Sequence, residues 1–156
     1  MAVELALYQP DIAQNTGTLL RLGACLGVLV HIIHPTGFAF SRQALKRAGL
    51  DYLDFAELME HDSYAAFDAW RRTAGRRLVL LTTRGSTSLY EGAYADRDVL
   101  IAGRESAGVP DAVAASADLR VRIPMREGLR SINVAVAASL ALGEAMRQTG
   151  AFNDLS

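Results

Sequence analysis

Three short segments of this 156-residue chain combine polar side chains and glycine in patterns that suit ligand binding or catalysis. The first runs from Asn15 to Arg21 and has the form N-x-G-x-x-x-R. Arginine suits phosphate recognition because its planar guanidinium presents a fork of donors. Asn15 and Arg21 do not have the spacing of one helical face, so spacing alone favours a polar helix start and a solvated arginine.

The second segment, Gly103–Pro110, is a charged turn that directly follows an apolar run. Its glycines allow the backbone to approach a ligand closely, and a helix that begins at Pro110 offers free N–H groups. A strand-to-helix connection that needs positive φ angles has the same composition. The composition therefore leaves both interpretations open.

The third segment, Ile123–Asn133, leads into a long apolar helical pattern. Ser131 has the position and the side chain expected of an N-cap for that helix. Capping explains the serine, but it does not explain why Arg130 and Asn133 lie beside it at the edge of an apolar helix.

Several common functions lack their sequence signatures. The loop after Tyr8 contains no G-x-G-x-x-G, and no P-loop pattern occurs, which disfavours dinucleotide oxidoreductases and NTPases. We expect no metal site, because there is no HExxH motif and no Cys/His cluster. His31, His34 and His61 have no obvious nucleophile partner, which disfavours a catalytic histidine.

The composition is that of an ordinary soluble domain, with 51% hydrophobic and 21% charged residues. The length predicts a single domain, residues 1–156. We expect a cytoplasmic protein, because no segment is apolar enough to span a membrane and no signal peptide precedes the first strand. The net charge of −1 does not indicate a nucleic-acid partner. Cys25, the only cysteine, is predicted to be a buried and inert thiol.

The elements around these segments alternate between apolar β-rich runs and helical patterns, which predicts a mostly parallel α/β sheet with helices on both faces. The predicted strands are Val3–Tyr8, Val28–Ile33, Arg77–Thr82, Val99–Ala102 and Leu119–Ile123, with an extended piece at Leu53–Phe55. The predicted helices are Ile12–Leu26, Ser41–Ala48, Ser63–Thr73, a short one from Pro110, and Ser131–Gln148. Ligands bind beyond the carboxyl ends of such strands, so the loops after Tyr8, Leu81, Ala102 and Ile123 should form the site.

The last predicted helix has almost no polar face between Ile132 and Leu142. A helix that is apolar all round in a soluble protein is buried on all sides. We therefore expect this helix to run through the middle of the protein and to be covered by a second subunit.

Taken together, the three segments resemble the signature motifs of the SpoU branch of the SPOUT methyltransferases. The first resembles N-x-G-x-x-x-R, the second resembles G-x-E-x-x-G-x-P, and the third resembles I-P-M followed by R-S-x-N. The matching residues are Asn15, Gly17 and Arg21; Gly103, Glu105, Gly108 and Pro110; and Ile123, Pro124, Met125, Arg130, Ser131 and Asn133. Further segments, among them 7–10, 35–38 and 47–52, resemble the small TrmL/YibK group.

This resemblance implies a parallel sheet with a C-terminal trefoil knot, a homodimer, and no appended RNA-binding domain. It also implies transfer of a methyl group from S-adenosylmethionine to the ribose 2′-hydroxyl of the wobble nucleotide, a cytidine or uridine, in the anticodon stem-loop of leucine tRNAs. A ribosomal RNA 2′-O-methyltransferase, a non-catalytic dimeric RNA-binding module and a Rossmann-like small-molecule methyltransferase are the alternatives.

The resemblance also implies roles for individual residues. The cofactor-binding residues are expected to be Leu81, Thr82, Gly103, Glu105, Gly108, Ile123, Met125 and Ser131. The catalytic residues are expected to be Arg21, Asn15, Glu105, Ser131 and Asn133. RNA contacts are expected from Arg21, Arg42, Arg47, Arg84, Arg126 and Arg130. Further candidates for phosphate contacts are Lys46, Arg71, Arg72, Arg76 and Arg77.

Overall fold

The computed structural model describes residues 1–47 and 53–156, and it contains a single sheet of seven strands. The strands are β1 Glu4–Tyr8, β2 Val30–Ile33, β3 Leu58–His61, β4 Arg77–Leu81, β5 Thr87–Ser88, β6 Asp98–Ala102 and β7 Leu119–Arg122. Their order in the sheet is β3-β2-β1-β6-β4-β7-β5, and every neighbouring pair is parallel. The predicted α/β class with a parallel sheet is confirmed, whereas the trefoil knot stays a prediction.

Helices cover both faces of this sheet. The α-helices are α1 Ala13–Leu26, α2 Arg42–Arg47, α3 Tyr64–Thr73, α4 Asp111–Ser116 and α5 Val134–Thr149, and 3-10 turns lie at Leu53–Phe55, Leu89–Glu91 and Ala151–Asp154. One face packs against α1 and α5 through aliphatic side chains such as Leu20 and Leu142. The other packs against α3 and α4 through Phe67 and Val113. The central strands β1 and β6 are buried along their whole length, as expected for strands covered on both faces.

Two parts of the sheet were not predicted correctly. Leu53–Phe55 is a 3-10 turn rather than an extended piece, and strand β3 follows it. Strand β3 lies at the sheet edge, where Leu58, Met59 and Glu60 are only partly covered, so its sequence lacks an apolar run. Strand β5 has two residues, which is too short to leave a pattern.

The predicted helix from Ser41 is α2. The Ser41 hydroxyl caps it by accepting a hydrogen bond from the Ala44 N–H at 3.0 Å. Ala48, the predicted end of this helix, lies outside the described residues.

The closing helix α5 begins later than predicted, and Asn133 rather than Ser131 is its N-cap. The Asn133 Oδ1 atom accepts hydrogen bonds from the N–H groups of Ala135 and Val136, at 2.8 and 3.3 Å. Asparagine caps helices as well as serine does, so the side chain closer to the apolar run takes the role. Ser131 and Ile132 consequently stay outside the helix.

Helix α5 is not buried on all sides within one chain. Its alanines face α1 and the sheet, whereas Val136 and Leu140 on the outer face are 50% and 41% exposed. The expected cover by a second subunit stays a prediction.

The prediction that Cys25 is buried is wrong, because the buried face of α1 carries Leu19, Leu20 and Gly23 and leaves the thiol exposed. Within the described residues, no helix is long and apolar enough to cross a membrane.

Candidate active site

The loops that follow β4, β6 and β7 surround a cavity of about 800 Å³ at the carboxyl edge of the sheet, and the start of α1 contributes Ile12 and Asn15. This volume falls within the usual range for small-molecule sites. All the residues predicted to bind the cofactor line this cavity: Leu81, Thr82, Gly103, Glu105, Gly108, Ile123, Met125 and Ser131. The cavity lies at the strand ends where the site was predicted, and cofactor binding by these residues stays a prediction.

The turn after β6 is closed on itself. Arg104 and Gly108 exchange two backbone hydrogen bonds, at 3.0 and 2.9 Å, and Gly108 has a φ of 62°. A Cβ atom on Gly103 would lie 2.7 Å from the Gly108 Cα atom, so a larger residue does not fit there. The turn itself requires these glycines, as expected of such a connection. Its backbone also lines the cavity, and close approach to a ligand stays a prediction.

The loop after β4 packs tightly against β7. Thr82 donates its N–H to the Val121 carbonyl at 2.9 Å, and Arg122 donates to the Gly85 carbonyl at 3.1 Å. A Cβ atom on Gly85 would lie 2.5 Å from the Val121 carbonyl carbon, so this close approach requires glycine. The contact fixes Leu81 and Thr82 at the cavity wall.

A chain of side-chain hydrogen bonds links the three sequence motifs. The Asn133 amide donates to the Asn15 Oδ1 atom at 3.1 Å, and the Asn15 amide donates to the Glu105 Oε1 atom at 3.4 Å. Ser131 lines the same cavity. Four of the five predicted catalytic residues are thus brought together by elements that are far apart in sequence.

Asp11, which the sequence analysis did not single out, is bonded to Glu105. The Asp11 N–H donates to the Glu105 Oε2 atom at 3.0 Å, the Glu105 N–H donates to the Asp11 Oδ1 atom at 3.1 Å, and the Ser106 hydroxyl donates to the Asp11 Oδ2 atom. The hydrogen bond with Glu105 is the main reason that the pKa of Asp11 falls to about 2. Burial raises the pKa of Glu105, and the interaction with the Asp11 carboxyl group raises it further.

Residues 2–143 match the model of the SpoU rRNA Methylase family. The chain belongs to the SpoU methylase family. It is 56% identical to the tRNA (cytidine(34)-2′-O)-methyltransferase of Ancylobacter novellus, over 97% of this chain and 96% of that one. A solved structure on the 2-OH methylation of C/U34 on tRNA superposes with a TM-score of 0.87, at 44% identity, and covers 94% of this chain and 95% of that one.

A longer structural neighbour was solved with a cofactor. This is the SpoU methyltransferase AviRb from Streptomyces viridochromogenes in complex with AdoMet, at a TM-score of 0.82 and 25% identity. The match covers 94% of this chain but 60% of AviRb. The SpoU methylase described here therefore shares its fold with a protein that binds the predicted methyl donor.

Arg21 of this SpoU methylase lies further along α1 than Asn15. It is an exposed residue of α1, about 9 Å along the helix axis from Asn15 at the usual helical rise, and it does not line the cavity. Its catalytic role stays a prediction.

The arginines predicted to contact RNA fall into two groups. Arg84 and Arg130 line the cavity, and Arg126 is exposed on the same loop as Arg130. Arg42 and Arg47 are exposed on α2, which does not contribute to the cavity. RNA contact by these side chains stays a prediction.

The other basic candidates all lie near acidic side chains of the protein. Arg71 is 3% exposed and pairs with Asp68 and Asp118, which makes it inaccessible to phosphate. Arg76 bonds to Glu4, Arg77 bonds to Asp98, and Arg72 bonds to Asp68, while Lys46 is exposed 4.0 Å from Asp54. Within the described residues, no group of three or more His, Cys, Asp or Glu side chains is arranged to hold a metal ion.

Proposed function

We propose that this chain transfers a methyl group from S-adenosylmethionine to the 2′-hydroxyl of the wobble nucleotide, cytidine or uridine 34, in leucine tRNAs. The observation that carries this proposal is the cavity, because the turns of the second and third motifs and Asn15 of the first enclose one space. Similarity to a tRNA (cytidine(34)-2′-O)-methyltransferase over nearly the whole of both chains supports the choice of substrate.

The cavity suits the proposed methyl donor. Leu81 and Ile123 provide aliphatic walls for an adenine ring, and the backbone of the Gly103 turn provides polar groups that can recognise its edge. S-adenosylmethionine supplies a methyl group on a positively charged sulfur. The family relationship and the AdoMet complex of AviRb support this cofactor.

The side chains around the cavity orient the acceptor ribose. Asn15, Glu105 and Asn133 are held by one another, so they present fixed hydrogen-bonding groups, and Ser131 adds a hydroxyl beside them. Arginine keeps its proton in proteins, so Arg21 does not act as a base. It instead orients a phosphate and stabilises the negative charge that develops on the ribose oxygen.

We also propose a homodimer formed by the outer faces of α1 and α5. Val136 and Leu140 are half exposed there and line a shallow groove together with Gln14 and Thr18 of α1. Arg21 lies one helical turn beyond Thr18 on this side of α1, so the contact would place it at the subunit boundary. A second subunit would remove these apolar side chains from water.

The remaining features follow from the same family assignment. Residues 1–156 form one SPOUT domain whose C-terminal loops make a trefoil knot, and the enzyme works on tRNA in the cytoplasm. Arg84, Arg126 and Arg130 surround the cavity and contact phosphates of the anticodon stem-loop, while Arg42 and Arg47 extend that contact to α2. A ribosomal RNA substrate is the less favoured alternative, because the relative that matches over nearly the whole of both chains is named as a tRNA methyltransferase.

The test uses the purified protein, S-adenosylmethionine and a synthetic leucine-tRNA anticodon stem-loop. We expect mass spectrometry to find one added methyl group at ribose 34 with the wild type. With Arg21→Ala we expect the transfer rate to fall about a hundredfold or more, so that no added methyl group is detected. Calorimetry should show that both proteins bind the cofactor with similar affinity. Binding without transfer by the wild type would identify an RNA-binding module instead, and full turnover by Arg21→Ala would overturn the role of this arginine.

A further inference from the structure

Asp11 joins two loops that are far apart in the sequence. It follows β1, whereas its partners Glu105 and Ser106 follow β6. The Asp11 N–H group and carboxylate both bond to Glu105, and the carboxylate also accepts the Ser106 hydroxyl. Since the bonds run in both directions, the Asp11 backbone fixes the Glu105 side chain while the Asp11 side chain fixes the Glu105 backbone.

The loop after β2 closes the space behind Asp11. Gly37 donates its N–H to the Pro10 carbonyl at 2.9 Å. A Cβ atom on Gly37 would lie 2.6 Å from the Asp11 Cβ atom, so the backbone at Gly37 touches Asp11 directly. Asp11 is therefore held from one side by the β2 loop and from the other by the β6 loop.

Asp11 itself does not line the cavity, but the residues connected to it do. Glu105 lies between Asp11 and Asn15, with its Oε2 atom bonded to the first and its Oε1 atom to the second. Asn15 is in turn bonded to Asn133, whose other amide atom caps α5. The hydrogen bonds between Asp11 and Glu105 therefore connect Asp11 to the side chains at the cavity.

We propose that Asp11 is a positioning residue for methyl transfer, which holds the Glu105 carboxyl group, and through it Asn15 and Asn133, in place at the cavity. The proposal rests on the proposed function. It adds a residue outside the three motifs, and it assigns Asp11 no direct contact with RNA or with the methyl donor.

The first test compares Asp11→Ala, Asp11→Asn and the exposed control Asp154→Ala. We expect Asp11→Ala to lower kcat by about tenfold, an ordinary effect for residues in one hydrogen-bond network, with little change in the KM for RNA or in the Kd for S-adenosylmethionine. Asp11→Asn should recover most of kcat, because the amide oxygen accepts the Glu105 N–H and the amide nitrogen donates to Ser106. Asp154→Ala should match the wild type.

The second test is a double-mutant cycle with Glu105→Gln. If Asp11 acts through Glu105, Asp11→Ala should change kcat far less in the Glu105→Gln background than in the wild type. Additive effects, or a kcat for Asp11→Ala close to that of the wild type, would overturn the proposal. If Asp11→Ala does not fold, Ser106→Ala replaces it in the cycle, because that change removes only one of the Asp11 bonds. A wild-type protein that transfers no methyl group would contradict the proposed function. Unchanged Asn15 and Asn133 side-chain amide NMR signals in Asp11→Ala would contradict the positioning role independently.

Discussion

Two polar networks lie at opposite ends of strand β1, and each contains a glutamate with two partners. At the carboxyl end, Glu105 bonds to Asp11 and Asn15 beside the open cavity. At the amino end, Glu4 bonds to Arg76 at 2.7 Å and to the His31 Nε2 atom at 2.8 Å. The first network joins loops, whereas the second joins strands inside the fold.

The surroundings of the second network are closed and aromatic. His31 is fully buried, its Nδ1 atom lies 2.9 Å from the His61 Nε2 atom, and its ring packs against Phe67 and Trp70 of α3. The His31 ring can donate from its Nε2 atom to Glu4 and accept at its Nδ1 atom from the His61 Nε2–H group. A network enclosed in this way has no access to a substrate, so its contribution is to stability.

The comparison teaches that a carboxylate network beside a cavity is accessible to a ligand, whereas an enclosed network can only stabilise the fold. Glu105 lines the cavity, so a ligand can approach it. The Glu4 carboxylate is largely buried and already bonds to Arg76 and His31. Removing each glutamate should therefore affect different measurements.

The largest effect is expected from Glu105→Ala. Loss of this carboxylate removes one of the two side-chain hydrogen bonds that hold Asn15, and a displacement of about 1 Å in a catalytic group can cost roughly a hundredfold in rate. We expect kcat to fall by about that factor while the melting temperature changes little, because Glu105 is only partly buried. Steady-state kinetics and thermal melting check this, with the exposed Glu91→Ala as the control. A melting temperature that falls as far as kcat does would remove the distinction between the two networks.

Glu4→Ala should show the opposite result. It leaves Arg76 and His31 without their carboxylate partner, and breaking a largely buried ion pair costs about 3 kcal/mol of the free energy of unfolding. Urea denaturation measures this loss, and kcat per folded molecule should stay at the wild-type value. Glu60→Ala is the matched control, because Glu60 also bonds a histidine, His34 at 2.7 Å, but is half exposed. That change should cost less than about 1 kcal/mol, and equal losses in the two variants would contradict the prediction.

The fold was predictable where burial leaves a long pattern. Strands β1 and β6 and helix α5 are apolar because both faces of the sheet are covered, so their runs stand out in the sequence. The edge strands β3 and β5 were missed, since an edge has fewer neighbours and its residues need not be apolar. The outward position of Cys25 depends on which face of α1 packs against the sheet, and composition alone does not give that.

The site was predictable where its residues lie in loops with unusual glycines. The motif residues converge because parallel strands bring their carboxyl ends to one edge. Asp11 was missed because its partner Glu105 is distant in sequence and no local pattern connects them. The histidine network was missed for a related reason, since Glu4, His31 and His61 become neighbours only through the pairing of β1, β2 and β3. A charged or imidazole side chain inside an apolar strand was the one available signal.

The smallest expected effect concerns pH and applies to the buried network alone. Burial lowers the pKa of His61 below its ordinary 6.5, and the neighbouring His31 lowers it further. The unfolded chain then binds more protons than the folded one just below pH 6.5, so stability falls as pH decreases in that range. His61 contributes fully above pH 6.5, and its contribution is lost as pH falls through the lowered pKa.

Urea denaturation of the wild type between about pH 8 and pH 5.5, the range in which histidines titrate, measures this slope. His61→Gln is the matched variant, because its amide still donates to the His31 Nδ1 atom but does not titrate. We expect the free energy of unfolding of this variant to fall less steeply over the same range. Identical slopes in the two proteins would show that His61 takes up its proton equally well in the folded and unfolded states. That result would mean that burial in the network at Glu4 does not change proton binding by His61, and the two networks would then not differ in this respect.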